Sequence, residues 1–266
     1  NEALLSNGNL LVRAPLWGST DGTAATAKGA VTLINGETGM TTGMVSSANS
    51  LVGSTAGDQL GSGGITALTN GNYIVRSPRW SGGTTALAKG AITWGSGTLG
   101  ISGVLSNSNS LVGSAAGDDV GSGTVTALSN GNAVALSPLW GSGNGTTANA
   151  KGAATWINGL IGVNGILDSS DINSFVGTTT GDQIGAGGAA VSALLDGRAL
   201  LSSPKWNGSG ATLTGRVDIL GPAVPLAMTP TVGFSANAST TSKFVVSNLV
   251  ALLDAEITSA QAVALL

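Results

Sequence analysis

Short runs of apolar and β-branched residues, separated by polar glycine-rich turns, recur along this chain and predict β-strands. The runs GITAL (residues 64–68) and YIVRS (73–77) flank the dipeptide Asn70-Gly71. An Asn-Gly pair between two such runs predicts a hairpin with a type I′ turn, since both central residues of that turn need a positive φ. Pro78 follows the second run and ends that strand, because proline has no N–H for the ladder.

The same stretch of chain contains signals for two further strands. GAITW (residues 90–94) predicts the third strand, and the segment 101–112 contains the fourth. Glycine recurs too often for a helix, and the apolar residues do not follow a period of 3.6. Four short antiparallel strands in about 60 residues are typical of one blade of a β-propeller.

The hairpin occurs four times, which makes the chain a tandem repeat. Each copy contains a turn glycine, then a proline, then a tryptophan two residues after the proline. The glycines are Gly8, Gly71, Gly131 and Gly197, the prolines are Pro15, Pro78, Pro138 and Pro204, and the tryptophans are Trp17, Trp80, Trp140 and Trp206. A second marker, AKGA, begins at residues 27, 88 and 150, and TGRV at 214 is its degenerate fourth copy.

These markers predict an all-β fold made of four propeller-like blades in residues 1–222. The predicted units are residues 3–66, 67–126, 127–192 and 193–222, and a non-repeat tail occupies 223–266. The fourth unit is short, so we expect it to be truncated or completed by the tail. The alternative is a β-solenoid, in which units would stack as parallel coils. Pairing between residues 64–68 and 73–77 within one unit distinguishes the two folds.

The recurring tryptophans are expected to anchor the core. Proline fixes the chain after the second strand, so each tryptophan reaches an equivalent place, where we expect it to be buried between neighbouring units. A buried tryptophan is a large apolar contribution in a chain with only four other aromatic side chains, Phe and Tyr together. The alternative is that the tryptophans line a groove and stack on sugars.

Composition excludes several classes of function. The chain has no Cys and no His, and charged residues make up only 9% of it. With a net charge of −3, the chain has no basic stripe for nucleic acid, and no apolar run is long enough for a membrane-spanning helix. Its unrepeated acidic residues are scattered without partners. We therefore expect neither catalysis nor a cofactor or metal.

Four aspartates in glycine-rich loops, Asp58, Asp118, Asp119 and Asp182, could be cation ligands. Each loop offers only one or two carboxylates, so capping of a turn is the preferred interpretation. The repeated lysines Lys28, Lys89 and Lys151 are expected at strand edges, and Arg13, Arg76 and Arg79 are expected at the surface. Sequons at Asn144, Asn207 and Asn237 match the glycosylation pattern but are expected by chance in so polar a chain.

The order of these parts resembles the FG-GAP blade of integrin-type β-propellers. GDQLG (residues 57–61), IVRSP (74–78) and GAITW (90–94) stand where that blade has its three sequence elements. Members that bind calcium carry a D-x-D-x-D-G loop, and no copy here has one. The resemblance implies a propeller-like blade without a calcium site.

In its amino-acid sequence, the chain is similar to repeats of large filamentous-haemagglutinin-like bacterial exoproteins. The likeness rests on NSLVGSTAGDQLGSGGITALTNGNYIVRSPRW (residues 49–80) and on the tail 234–266, which resembles the start of a β-solenoid repeat. It implies a secreted or surface-exposed structural module for adhesion, biofilm or filament scaffolding. The partners would be neighbouring repeats, copies of the same protein, or a host or bacterial surface. The alternative is a lectin-like propeller that binds surface glycans.

Overall fold

A computed structural model describes residues 2–39, 43–81, 87–186, 190–207 and 214–221, together with the backbone of the two strands at 232–235 and 243–246. These residues are all-β, and their single 3-10 turn is Thr147–Asn149. The strands in chain order are β1 Glu2–Leu4, β2 Leu10–Ala14, β3 Ala30–Ile34, β4 Ser50–Val52, β5 Gly64–Ala67, β6 Tyr73–Ser77, β7 Ala91–Gly95, β8 Gly103–Val104, β9 Leu111–Gly113, β10 Val125–Ala127, β11 Ala133–Ser137, β12 Ala153–Ile157, β13 Gly165–Leu167, β14 Ser174–Val176, β15 Ala190–Ala193, β16 Ala199–Ser203, β17 Arg216–Leu220, β18 Val232–Ser235 and β19 Lys243–Val246.

The strands form four sheets, one for each repeat of about 60 residues. Their strand orders are β1-β2-β3-β4-β8, β5-β6-β7-β9-β13, β10-β11-β12-β14 and β15-β16-β17-β18-β19, and we call them the first to fourth sheets. Each contains an antiparallel meander of four strands. The predicted unit boundaries at 66/67, 126/127 and 192/193 fall within β5, β10 and β15. The sheets thus begin a few residues before the predicted units.

The predicted hairpin is present, but its turn differs from the predicted type. β5 pairs with β6, with Gly64 opposite Arg76, and the Gly71 N–H donates to the Leu68 carbonyl at 3.0 Å. Gly71 has φ +86°, whereas Asn70 is not among the residues with positive φ. The type I′ prediction is therefore wrong. Leu68 donates its N–H to the Asn72 carbonyl at 2.8 Å beyond the strand ends, which leaves a loop of three residues, 69–71, as in a type I turn followed by a left-handed glycine. The same glycine conformation occurs at Gly8, Gly131 and Gly197.

The Pro-x-Trp motif forms a second turn at the end of the hairpin. β6 ends at Ser77, whose carbonyl accepts the Trp80 N–H at 3.1 Å. Pro78 thus occupies the second position of a four-residue turn, where its fixed φ is favourable. The equivalent tryptophan N–H groups donate to Ala14, Ser137 and Ser203 at 3.0, 3.1 and 3.2 Å.

Two short strands cross from one unit to the sheet before it, which no sequence pattern indicated. Where one fourth strand was predicted in residues 101–112, the chain forms β8 and then begins β9. β9 completes its own sheet, while β8 adds to β4 of the first sheet in parallel. In the next unit β13 adds to β9 in the same way.

Apolar side chains lie between successive sheets and form three clusters. The first cluster joins the first and second sheets and includes Leu11, Leu51, Tyr73 and Val75. The second joins the second and third sheets around Ile74, Ile92, Ala135 and Trp140. The third joins the third and fourth sheets around Val134, Leu136, Ala199 and Leu201. Successive residues of one strand therefore pack against different neighbouring sheets, as Tyr73 and Ile74 do.

Tail residues complete the fourth sheet. β18 pairs with β17 and β19 pairs with β18, both antiparallel. Of the two outcomes expected for the short fourth unit, completion by the tail is the one found. The remainder of the predicted solenoid-like segment, residues 236–242 and 247–266, lies outside the described residues.

A glycine before the third strand of each of the first three sheets makes a contact that no other residue allows. Gly90 has φ +72°, and a Cβ there would lie 2.2 Å from the Val120 backbone nitrogen. Gly29 and Gly152 have the same conformation and the same close approach, to Leu60 and Ile184. These are the glycines of the AKGA marker.

We expect Gly90→Ala to destabilise the chain far more than Gly8→Ala. Both glycines have positive φ, but a Cβ at Gly8 meets nothing within 4 Å, so only backbone strain of about 1 kcal/mol results. At Gly90 the backbone must also move, and we expect a loss of about 4 kcal/mol. Denaturant unfolding of both variants tests this. Equal losses would show that the close approach is unimportant.

Candidate functional site: the contacts between successive units

Three aspartates of the glycine-rich loops are buried and hold a turn of their own loop. They are Asp58, Asp118 and Asp182. Asp58 accepts hydrogen bonds from the backbone N–H groups of Ser54 and Thr55 at 2.7 and 2.8 Å, and from both hydroxyls. The structure therefore shows these carboxylates capping a turn, which is the interpretation that the sequence favoured.

The same carboxylates also reach the next unit, a contact that the sequence did not reveal. Asp58 Oδ1 accepts the N–H of Ser81, the residue after Trp80, at 2.9 Å. Asp118 accepts the N–H of Gly141 at 3.0 Å, and Asp182 that of Asn207 at 3.1 Å. The signal that could have predicted this is the near-constant spacing between each aspartate and the Pro-x-Trp motif that follows it.

These carboxylates are bound to protein donors instead of being arranged as cation ligands. Asp119 contacts the Ala88 N–H at 3.3 Å, and burial raises the pKa of Asp119 despite that bond. Among the residues that the structure describes, no group of three acidic, His or Cys side chains could hold a metal ion.

The hairpin turns form a second set of contacts between units. The side-chain Nδ2 atoms of Asn70 and Asn72 both donate to the Gly159 carbonyl of the next unit at 2.8 Å. Asn72 Oδ1 also accepts the Gly97 N–H at 3.0 Å within its own unit. Asn7 and Asn9 make the same bonds to the Gly97 carbonyl. The second asparagine of the NGN turn was not singled out from sequence, although it recurs in three of the four copies.

Glycine is required where these turns meet the next segment of chain. A Cβ on Gly97 would lie 1.8 Å from the Gly71 carbonyl oxygen, and one on Gly159 would lie 1.7 Å from that of Gly131. No side chain fits such a gap, so these positions admit only glycine.

The tryptophans occupy equivalent turns but differ in burial. Trp140 is 6% exposed, lies in the second cluster and donates its indole N–H to the Leu167 carbonyl at 3.1 Å. Trp80 and Trp206 are partly buried against the first and third clusters. Trp17 is also partly buried but belongs to none of the three clusters.

Two arginines predicted at the surface are instead partly buried. Arg13 donates to the Gly61 carbonyl at 3.0 Å, and Arg76 donates to the Gly123 carbonyl. Burial lowers the pKa of Arg76, and the charge of Arg13 adds to this effect. The prediction is wrong for these two because their guanidinium groups bind carbonyls of the glycine-rich loops. Arg79 is exposed, as predicted.

The repeated lysines contribute their aliphatic carbons to the same turns. The methylene groups of Lys151 pack over Gly141, and those of Lys28 pack over Gly18. Each backbone carbonyl of these lysines also accepts an N–H from its own unit, such as Leu60 N–H to Lys28 at 3.0 Å. The sequon at Asn144 lies in a described loop. Of the sequon at Asn207 only the asparagine is described, and Asn237 lies outside the described residues.

Comparison with known proteins supports the repeat. A family model described as "Repeat of unknown function (DUF5650)" matches residues 4–62, 67–122 and 127–186. A search of curated proteins found no match. No helix in the described part of the chain is long and apolar enough to cross a membrane.

We expect the stabilising effect of Asp182 to depend on pH. Burial raises its pKa, but hydrogen bonds from Thr179, Asn207 and Thr178 outweigh burial and hold the pKa below the usual 3.8. The ionised form therefore stabilises the fold above pH 3.8, and this contribution is lost as pH falls through the lower folded pKa. Asp182→Asn should cost about 2 kcal/mol at pH 7 and less at pH 2.5, because part of the charge is then neutralised.

Unfolding free energies at the two pH values measure this difference, and Glu37→Gln, at an exposed position, is the control. A penalty for Asp182→Asn that is unchanged between pH 7 and pH 2.5 would contradict the role of the charge.

We expect Trp140→Ala to cost about 3–5 kcal/mol, because it leaves a cavity between two sheets. Trp17→Ala removes the same side chain from a turn of the same shape outside the clusters, so we expect a loss of about 1 kcal/mol. Thermal and denaturant unfolding of both variants compare the two sites. Equal losses would mean that the contact between sheets does not determine the contribution of the tryptophan.

Proposed function

Since the chain belongs to the family of the repeat of unknown function named above, we propose that it is a structural module of a secreted or surface-exposed bacterial protein. Such a module would act as a scaffold in adhesion, in a biofilm or in a filament. The observation that supports this most directly is that one set of contacts recurs between successive units: a buried aspartate, an asparagine pair and an apolar cluster. The chain uses its recurring residues to hold its own units together.

We also propose that the units are propeller-like blades instead of coils of a solenoid. The supporting observation is that β5, β6, β7 and β9 pair antiparallel within one unit. Parallel pairing between named strands is confined to the crossing strands β8 and β13. Blades also stack by their apolar faces, as these sheets do.

The extracellular setting is supported by the resemblance of residues 49–80 to repeats of large bacterial exoproteins. The low share of charged residues and the absence of Cys are compatible with it. The placement of the tryptophans favours a structural role over sugar stacking, because Trp80, Trp140 and Trp206 all pack against clusters between sheets.

Surface exposure can be measured on the bacterium that produces the protein. We expect an antibody raised against the chain to label intact cells or the secreted fraction, and external protease to remove that label while a cytosolic marker survives. Deleting the repeats in frame should reduce attachment or biofilm. A protein found only inside intact cells would contradict the proposal, and binding to a glycan array that is lost in a folded Trp80→Ala variant would favour the lectin alternative.

A further inference from the structure

Each crossing strand adds to the last strand of the preceding sheet. We call such a strand a donor strand. Leu105, directly after β8, donates its N–H to the Val52 carbonyl at 3.0 Å. In the next unit Gly165 donates to the Ser110 carbonyl at 3.1 Å. Leu105 and Leu167 then enter the apolar clusters as fully buried side chains. The donor pattern is therefore a glycine followed two residues later by an apolar residue.

The third sheet lacks such a donor among the described residues. Its last strand, β14, has a neighbour only in β12. Along this edge lies a groove of about 660 Å³, lined by Trp156, Ile172 and Phe175 on one side. The corresponding groove of the first sheet measures about 260 Å³, and residues 98–102 of the donor segment form its other wall. In the described part of the chain, no strand occupies the larger groove.

The sequence of the fourth unit lacks the glycine pattern of the donor segments. By the register of β17, Pro225 stands where the donor segments have Gly100 and Gly162. Those glycines have φ +73° and +75°, which proline cannot adopt because its ring fixes φ near −65°. Met228 likewise stands at the position of Gly165, whose φ is +111°.

The first unit contains a donor that has no acceptor among the described residues. Gly43, Met44 and Val45 correspond to Gly165, Ile166 and Leu167, and Gly43 has φ +87°. Met44 is 90% exposed, and Val45 is only partly buried. The described chain thus presents one donor segment at its first sheet and one acceptor edge at its third.

The wall of the groove also contains an acceptor without a partner. Arg216 forms an ion pair with Asp218 Oδ1 at 2.7 Å and lies 4.4 Å from the centre of the Phe175 ring. Asp218 is 7% exposed, and its Oδ2 has no hydrogen-bond partner among the residues that the structure describes. Burial raises the pKa of Asp218 despite the contact with Arg216. An unpaired buried acceptor is costly and is expected where a ligand contributes a donor.

We propose that Gly43–Val45 of one copy adds to β14 of a second copy as a parallel strand, in the way that β8 adds to β4. Val45 N–H would donate to the Val176 carbonyl, the counterpart of Val52. Donor and acceptor lie on different units, so the contact is head-to-tail and extends into a chain of copies. This assembly rests on the proposed scaffold function and gives it a physical means.

Sedimentation of the purified chain over a range of concentrations tests the assembly. We expect reversible association in the parent chain and its loss in Val45→Asp, which removes the donor side chain. Ile172→Asp places a charge at the mouth of the groove, at a residue that is 94% exposed, and should abolish association equally. Leu195→Asp, the same kind of change at an exposed residue away from the groove, is the control and should associate normally.

The decisive sample mixes Val45→Asp with Ile172→Asp. One variant keeps the acceptor and the other keeps the donor, so the mixture should form a 1:1 dimer that grows no further. A parent chain that stays monomeric, or variants that associate like the parent, would overturn the proposal. Circular dichroism confirms that each variant is folded, and the result is independent of whether the protein is found at the cell surface.

A synthetic peptide of residues 162–168, which contains a natural donor, provides a second measurement. It should bind the groove, quench or shift Trp156 fluorescence and dissociate the assembled parent chain. The same peptide with Gly165→Pro cannot adopt the required φ and should do neither. Equal effects of the two peptides would contradict strand addition.

Discussion

The structure depends on the burial of apolar faces between successive sheets, because no unit can bury them alone. In the second sheet, Tyr73 and Val75 pack towards the first sheet while Ile74 packs towards the third. A sheet with two apolar faces needs two neighbours, so stability in such an array comes from the contacts between units as much as from each unit. The tryptophan of each Pro-x-Trp turn contributes most where a preceding sheet is present to cover it, as at Trp140.

Close packing of backbone on backbone follows from this arrangement and explains the glycine content. Gly90 lies against the backbone of Val120, and Gly97 lies against the carbonyl of Gly71. These approaches leave no room for side chains. The backbone N–H and C=O groups there therefore need hydrogen bonds from nearby polar side chains. Asp58 and Asn72 provide these hydrogen bonds, and each joins its own turn to the next unit of the chain. The polar residues of the repeat are thus part of its interior structure.

The sequence predicts the elements that are determined by local turn chemistry and strand propensity. The hairpin of β5 and β6, the end of the strand before Pro78 and the all-β repeat follow from turn chemistry and strand propensity, and the structure contains them. The contacts between units could not be predicted in this way. The crossing strand β8 is only two residues long, and the Asp58–Ser81 bond joins residues whose proximity depends on how sheets stack. The turn type was missed because Thr69 adds a residue to the loop.

Native-state hydrogen exchange measures most directly whether the units form one cooperative structure. The account predicts that the N–H groups of Leu105 and Gly165, which join units, exchange with the same free energy as Val75 in the centre of its sheet. The joining amides and the centre of the sheet would then open only in global unfolding. If the joining amides exchange at a much lower free energy while Val75 stays protected, the units are independent and the account is contradicted.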